Sequence, residues 1–548
     1  MFLVLYRVYC IDFSVTDQQA PHKLLDRAKT CCQYTPDRFF AKISEPLSVC
    51  TVHTFRLHGV ESSNMFKRWR YLVYLSVVTA VGLPSYSIAH DQQLPDIGTA
   101  AAGTLTIDQE KIYGDAYMRI LRASKPIIND PVLSEFINSL GHRLVANADD
   151  VKTPFTFFLI QDQSINAFAF FGGHVALHTG LFLDANTESE LASVMAHEIA
   201  HVTQRHLARS MEERARRTPA TVAALAGSLL LAIAAPQAGV AAITATTAGS
   251  MQSQINYTRS NEIEADRFGL ATLERAGFNV RAMPRFFGRL ADEYRYASKP
   301  PPMLLTHPLP DERITDTRIR AYRYPLHKVK PSLAYYLARV RVIVRYVNMD
   351  NDAAQGWINR NEKKAPAVLK PAFQYGHALL YLDNRQPKEA EKILDKLYLE
   401  DPTNDFYLDA LSDTYLALKQ ADKAQKMLEK ALKVKPNNKV ITINYANVLI
   451  QEDKFEPAIR LLQRYTHDNP EDVVGWQLLS ESNGKAGHRA EELAAQGELL
   501  ALRANWDKAI QRYTEASKIA KLGSLSQARY DARIDQLILR RNQFNALK

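Results

Sequence analysis

Residues 197–201 read His-Glu-Ile-Ala-His, and that spacing already implies a chemistry. On a helix, side chains four residues apart share a face, so the imidazoles of His197 and His201 can take the same ion, for which tetrahedral zinc is the usual occupant. Glu198, beside the first ligand, can reach the open side and accept a proton from an attacking water. The implied reaction is metal-assisted hydrolysis of an internal peptide bond, with one Zn2+ per chain.

Such a site needs a third protein ligand. The extended pattern HExxHxxGxxH fails: Gln204 and Leu207 stand where glycine and histidine are required, and His206 is one residue out of phase. Downstream, Asn261-Glu262-Ile263-Glu264-Ala265-Asp266 puts Glu262 and Asp266 on one helical face. Glu262 would complete a His2Glu set, and Asp266 would hold a ligand histidine from behind. Glu264 points about 200° away from Glu262 at ~100° per residue, which makes it the weaker choice. His174 and His178 are also four apart, but they sit in an apparent strand, where four residues span about 13 Å, too far to share one ion. His307, in the proline-rich loop 300–310, reads on its own as an exposed loop histidine.

The motif must be carried by a helix, and Glu188–Arg209 has the pattern for one, with Leu191, Val194, Met195, Ile199 and Val202 on an apolar face. Before it, Pro154–Ile160 reads as a short strand, and Asn166–Leu181 as two strand segments around Gly172-Gly173. A helical pattern surrounds Tyr113–Leu121. These elements predict an α+β domain, mainly helical with a small sheet, over residues 90–330. Within it, Thr218–Thr258 carries no charged residue, but its apolar residues are mostly alanine and Pro236 divides it. Small side chains gain little by leaving water, so this stretch reads as a helical hairpin packed on the domain. Peripheral membrane contact through 218–258 is the alternative.

From about residue 335 the pattern is uniformly helical and periodic. Ala390, Ala424 and Ala458 are 34 residues apart, as are Pro402, Pro436 and Pro470. Ala378, Ser412 and Ala446 keep the same register, and so do Leu394, Leu428 and Leu462. This is the tetratricopeptide period, with small residues where paired helices approach. It predicts an all-α superhelix over 335–548, with Val474–Lys485 and Trp506–Lys521 as further, less regular helices and a C-terminal cap.

A chain of 548 residues is too long for a single core, and 46% hydrophobic with 23% charged residues suits a globular protein. The net charge of +9 is partly N-terminal: residues 1–89 hold ten Lys/Arg against six Asp/Glu. The remaining mild excess forms no basic stripe, and no nucleic-acid motif accompanies it. Cys10, Cys31, Cys32 and Cys50 all precede residue 65, so the body of the protein contains no disulfide. From Met65, a positive stretch with Lys67, Arg68 and Arg70 leads into the apolar run Tyr71–Leu83 and then Ser87-Ile88-Ala89, the layout of a cleaved export signal. The apolar run is shorter than the ~20 residues of a membrane-spanning helix. Residues 65–89 are therefore read as a signal peptide and residues 1–64 as an over-extended start.

Taken in order, NAFAFFGG, SVMAHEIAHVTQRH, NEIEADRFG, THPLPDER and the repeat array resemble the β-barrel assembly-enhancing proteases. These belong to the gluzincin group of HtpX and the CAAX prenyl proteases. The resemblance runs from residue 90 to the end and leaves out residues 1–64. It implies an exported, periplasmic enzyme, either free or associated with the outer membrane, with Zn2+ as cofactor. It also implies two activities: cleaving misfolded or stalled outer-membrane β-barrel proteins, and assisting their assembly at the barrel-assembly machinery through the repeats. By resemblance, His197, His201 and Glu262 are the zinc ligands, Glu198 the general base and Asp266 a supporting residue. His307 becomes the histidine of a regulatory loop that approaches the zinc at rest. In that frame Asn166, Ala167, Phe168 and Ala169 are expected to form an edge strand that pairs with an extended substrate backbone. The rival reading is a repeat-based chaperone or scaffold whose zinc site is latched and largely silent.

Overall fold

The computed structural model describes residues 105–217, 258–298, 300–326 and 328–546. Residues 1–64, the segment 65–89 read as a signal peptide, and the uncharged stretch up to residue 257 lie outside the described residues.

Helix α1 (Ile107–Ser124) starts at Thr106, whose hydroxyl accepts from Gln109 N while the Gln109 side chain returns a bond to Thr106 N, a reciprocal cap that fixes the first turn. Asp130 caps α2 (Pro131–Val145), accepting from Val132 N and Leu133 N, with proline in the first helical position. Three short strands follow: β1 (Thr156–Ile160), β2 (Ala167–Phe170) and β3 (His174–His178). β3 lies in the middle, parallel to β1 and antiparallel to β2. The β2–β3 turn needs its two glycines, Gly172 and Gly173, both at φ 78°. A Cβ on Gly173 would also lie 2.0 Å from Pro154 O.

The sheet and α2 support helix α3 (Glu188–Thr203), which starts at the Thr187 cap and is buried along nearly its whole length. The expected helix to Arg209 is in fact broken. α3 ends at Thr203, and α4 (His206–Arg217) begins after Arg205, whose φ is 53°. Helix α5 (Arg259–Arg275) crosses α3 at Gly269, where an added Cβ would meet the His197 backbone nitrogen at 3.3 Å. This close approach brings Glu262 and Asp266 up to the motif. α6 (Ala282–Tyr294) and α7 (Asp311–Arg323) close that side, with the short helix Pro302–Thr306 between them.

Helices α8 (Leu333–Arg345) and α9 (Asn351–Glu362) lead into five antiparallel pairs: α10 (Lys370–Asp383) with α11 (Pro387–Glu400), α12 (Asp405–Ala417) with α13 (Ala421–Val434), α14 (Lys439–Gln451) with α15 (Phe455–Asp468), α16 (Val473–Ala486) with α17 (Arg489–Ala501), and α18 (Trp506–Ile519) with α19 (Leu525–Ala546). The small residues and leucines of the 34-residue register are fully buried in the pairs. The turn inside each of the first four pairs places one residue in left-handed backbone: Arg385, Lys419, Asp453 and Gly487. These too are 34 apart, so the period persists into the fourth pair, where the sequence pattern looked irregular. The fold is thus a mainly helical α+β domain with a small sheet, followed by an all-α repeat array.

The two parts are joined through a shared apolar cluster, where chain length alone suggests separate cores, and further clusters lie beside it. A single apolar cluster runs from Ile128 through α3 and α8 to Val448. At its centre Arg341 of α8 donates to Asp130 Oδ2 at 2.6 Å and to Tyr375 Oη at 2.7 Å, and pairs with Asp409 Oδ2 at 2.7 Å. The far end of the array returns to the first helix. Arg119 of α1 donates to Ala501 O at 2.9 Å and, with Arg122, holds Glu471. Ala116 packs in a cluster with Leu493, Trp506, Tyr530 and Phe544.

Candidate active site

α3 brings the two motif histidines together, with His201 Nε2 3.0 Å from His197 Nε2. From α5, Glu262 extends Oε2 to 3.5 Å from His197 Nε2 and Oε1 to 3.3 Å from His201 Nε2. The loop after Thr306 adds His307, whose Nδ1 lies 2.9 Å from Glu262 Oε1 and 3.4 Å from His197 Nε2. One donor atom from each of the four lies within 4.8 Å of the others, and all four residues are buried. His307 is 2% exposed, so it is not the exposed loop residue that its sequence context alone suggests.

Glu198 is fully buried. Its two carboxylate oxygens have no hydrogen-bond partner among the described residues, and His307 Nε2 lies 3.6 Å from Oε1. Behind His197, Asp266 Oδ1 sits 2.9 Å from Nδ1. Arg313 of α7 grips Asp266 with two bonds of 2.6 and 2.8 Å and reaches Glu262 Oε2 at 2.5 Å. No spacing in the sequence marks Arg313; its one signal is its place in THPLPDER, six residues after His307.

The electrostatics follow from this crowding. Burial opposes ionisation of Glu262, but His307, Arg313 and the motif histidines outweigh it and hold the carboxyl well below its usual range. Burial also resists protonation of His197, yet Asp266 and Glu262 raise its imidazole to about 9. His201 is pushed well below its ordinary value, chiefly by burial. An incoming metal therefore competes with a proton on His197, so uptake weakens as pH falls.

Imidazole nitrogens and a carboxylate oxygen converging in a buried space form the donor set of a borderline-soft divalent ion. An unsatisfied buried carboxylate such as Glu198 is costly unless another charged or polar group joins the site. On both counts the residues fit a divalent metal. His174 and His178 stay apart from this cluster: His174 Nε2 lies 3.7 Å from Asp115, and His178 Nδ1 3.0 Å from Ser164 Oγ.

Among the described residues, β2 has a strand neighbour on one side only, β3. Asn166, Ala167, Phe168 and Ala169 are all buried, and the segment bearing His307 lies against the start of the strand, with Met303 N donating to Ile165 O at 3.3 Å.

A model of peptidase family M48 matches residues 132–321, and a tetratricopeptide-repeat model matches residues 415–481. A putative beta-barrel assembly-enhancing protease of Vibrio cholerae serotype O1 is 69% identical over 471 residues, covering 86% of this chain and 97% of that protein. The beta-barrel assembly-enhancing protease of Escherichia coli strain K12 is 45% identical over 481 residues, again 86% of this chain and 97% of its own length. The metalloprotease LoiP of the same strain is 26% identical over 191 residues, 34% of this chain and 69% of its own.

Proposed function

Because the chain belongs to the beta-barrel assembly-enhancing proteases, metalloendopeptidases of family M48, we propose that it is a periplasmic zinc enzyme that degrades misfolded or stalled outer-membrane β-barrel proteins. On this reading it also assists their assembly through its repeats, which meet the barrel-assembly machinery. The observation that carries the proposal is the buried convergence of His197, His201 and Glu262, with the buried, unsatisfied Glu198 on the same helix as the two histidines.

His197, His201 and Glu262 would hold the zinc. Bound there, it supplies a Lewis acid for the scissile carbonyl and for the attacking water. Glu198 takes the proton from that water and passes it to the leaving amine. Asp266, fixed by Arg313, orients His197. β2, with Asn166 just before it, lines up an extended substrate by backbone pairing, which asks little of its side chains and suits an unfolded barrel strand. The test is digestion of casein and of a urea-unfolded barrel protein by the purified protein, with and without chelator. Chelator-sensitive cleavage is expected. Binding of the barrel protein with no chelator-sensitive cleavage would favour the chaperone reading.

His307 acts here as a latch on the resting site. It lies against Glu262 and Glu198, and its segment occupies the start of the strand that a substrate would pair with. His307→Ala is expected to raise casein cleavage at least several-fold. A fall in rate at unchanged zinc content would assign His307 to catalysis instead.

A further inference from the structure

His206 and Glu264 both fell outside the expected set of site residues, one out of phase and the other on the wrong face. The structure joins them. In an unbroken helix, residues five apart are about 140° out of register, and His206 would face away from His201. The break at Arg205 changes this. Left-handed backbone is uncommon for a residue with a side chain, and Arg205 is held in it by Glu110 Oε1, at 3.1 Å from Nε and 2.9 Å from Nη2, and by Leu105 O at 2.6 Å. The chain turns, α4 restarts, and the fully buried His206 brings Nδ1 to 2.9 Å from His201 Nδ1. Its Nε2 is 3.0 Å from Glu264 Oε2, which also accepts from Arg209 Nη1 at 2.9 Å.

Counting hydrogens fixes the direction of these bonds. His201 turns Nε2 toward Glu262 and His197. If that nitrogen gives its lone pair to a metal, the ring's hydrogen is on Nδ1, where His206 Nδ1 accepts it. The hydrogen of His206 is then on Nε2 and goes to Glu264. Each imidazole is neutral, in one tautomer, and every bond points outward from the ligand to a carboxylate near the surface.

We infer that His206, backed by Glu264, is the positioning residue that orients His201 and fixes its tautomer for metal binding. It is the counterpart of Asp266 behind His197, with one difference. Asp266 places a carboxylate directly on its histidine and needs Arg313 to offset the charge. His206 keeps the carboxylate one ring further out, so a site that already holds Glu198, Glu262 and Asp266 gains no fourth buried negative charge. The inference rests on the metal reading proposed above.

The test is zinc affinity of the full chain, by competition with a chromophoric chelator, for wild type, His206→Ala and His206→Asn, alongside thermal melts of the metal-free proteins. Losing such a partner typically costs about 10–100-fold in metal affinity, and that loss is expected for His206→Ala with an unchanged metal-free melt. Asparagine, which can set its amide oxygen where Nδ1 stood, is expected to restore affinity to within a few-fold of wild type. Equal affinity in wild type and His206→Ala overturns the inference and leaves the metal reading intact. Should the alanine variant fail to fold, a His206→Asn protein that folds but binds zinc ten or more times more weakly overturns it too. Wild-type protein that takes up no zinc sinks the metal reading, and this inference with it.

Discussion

Glu198→Gln is expected to leave the protein folded and able to take up zinc while lowering casein cleavage by about 10²–10⁴-fold, the usual contribution of a positioned general base. Glutamine keeps the shape of the side chain but cannot accept the water's proton. The carboxylate it replaces is fully buried, lacks a hydrogen-bond partner among the described residues, and shares the site with Glu262 and Asp266. Removing that charge relieves repulsion, so stability is expected to hold or rise slightly. Zinc content by atomic absorption and initial rates on a fluorescent casein provide the check. A variant that keeps more than a tenth of the wild-type rate with zinc bound would end the assignment of Glu198 as the base.

The largest expected effect on stability lies elsewhere, at Arg341. This guanidinium is buried between Asp130, which caps α2, and Asp409 on α12. Arg341→Met leaves two buried carboxylates without their counter-charge, and losing one partner of a buried pair costs about 3–5 kcal/mol. The urea midpoint of the cooperative transition is expected to fall accordingly. The compensated triple variant Arg341→Met, Asp130→Asn, Asp409→Asn is expected to recover most of the loss, because asparagine still caps a helix and neither position keeps a carboxylate. If the single and triple variants unfold at the same denaturant concentration, the node owes its effect to packing rather than to charge.

What the sequence displayed and what it hid divide along a physical line. The motif helix, the β2–β3 turn at Gly172-Gly173 and the 34-residue register are local or strictly periodic, and a linear chain shows such features directly. So is the pairing of Glu262 with Asp266, four residues apart on one helix. Arg313, His206 and Glu264 are not local in this sense. Arg313 reaches the cluster because α7 packs beside α5, which no spacing in the chain encodes. His206 depends on a backbone break at Arg205, a residue that carries no glycine-like signature. The apolar pattern continues through Val202, which on its own predicts a helix running on to Arg209. The fourth repeat was hidden differently: its turn keeps phase at Gly487 while the alanine and proline markers of the earlier repeats lapse.

The grip of the last repeats on α1 also bears on the order of folding. Arg119 bonds a carbonyl 382 residues further along the chain. The same helix supplies Glu110, which pins Arg205 beside the second motif histidine. A contact of such sequence separation must close a very long loop, and contacts of that kind form late. The outer face of α1, where Ala116 and Arg119 meet the C-terminal helices, is therefore covered late, and that closure makes a ring of the chain, with the first described helix fastened to the last.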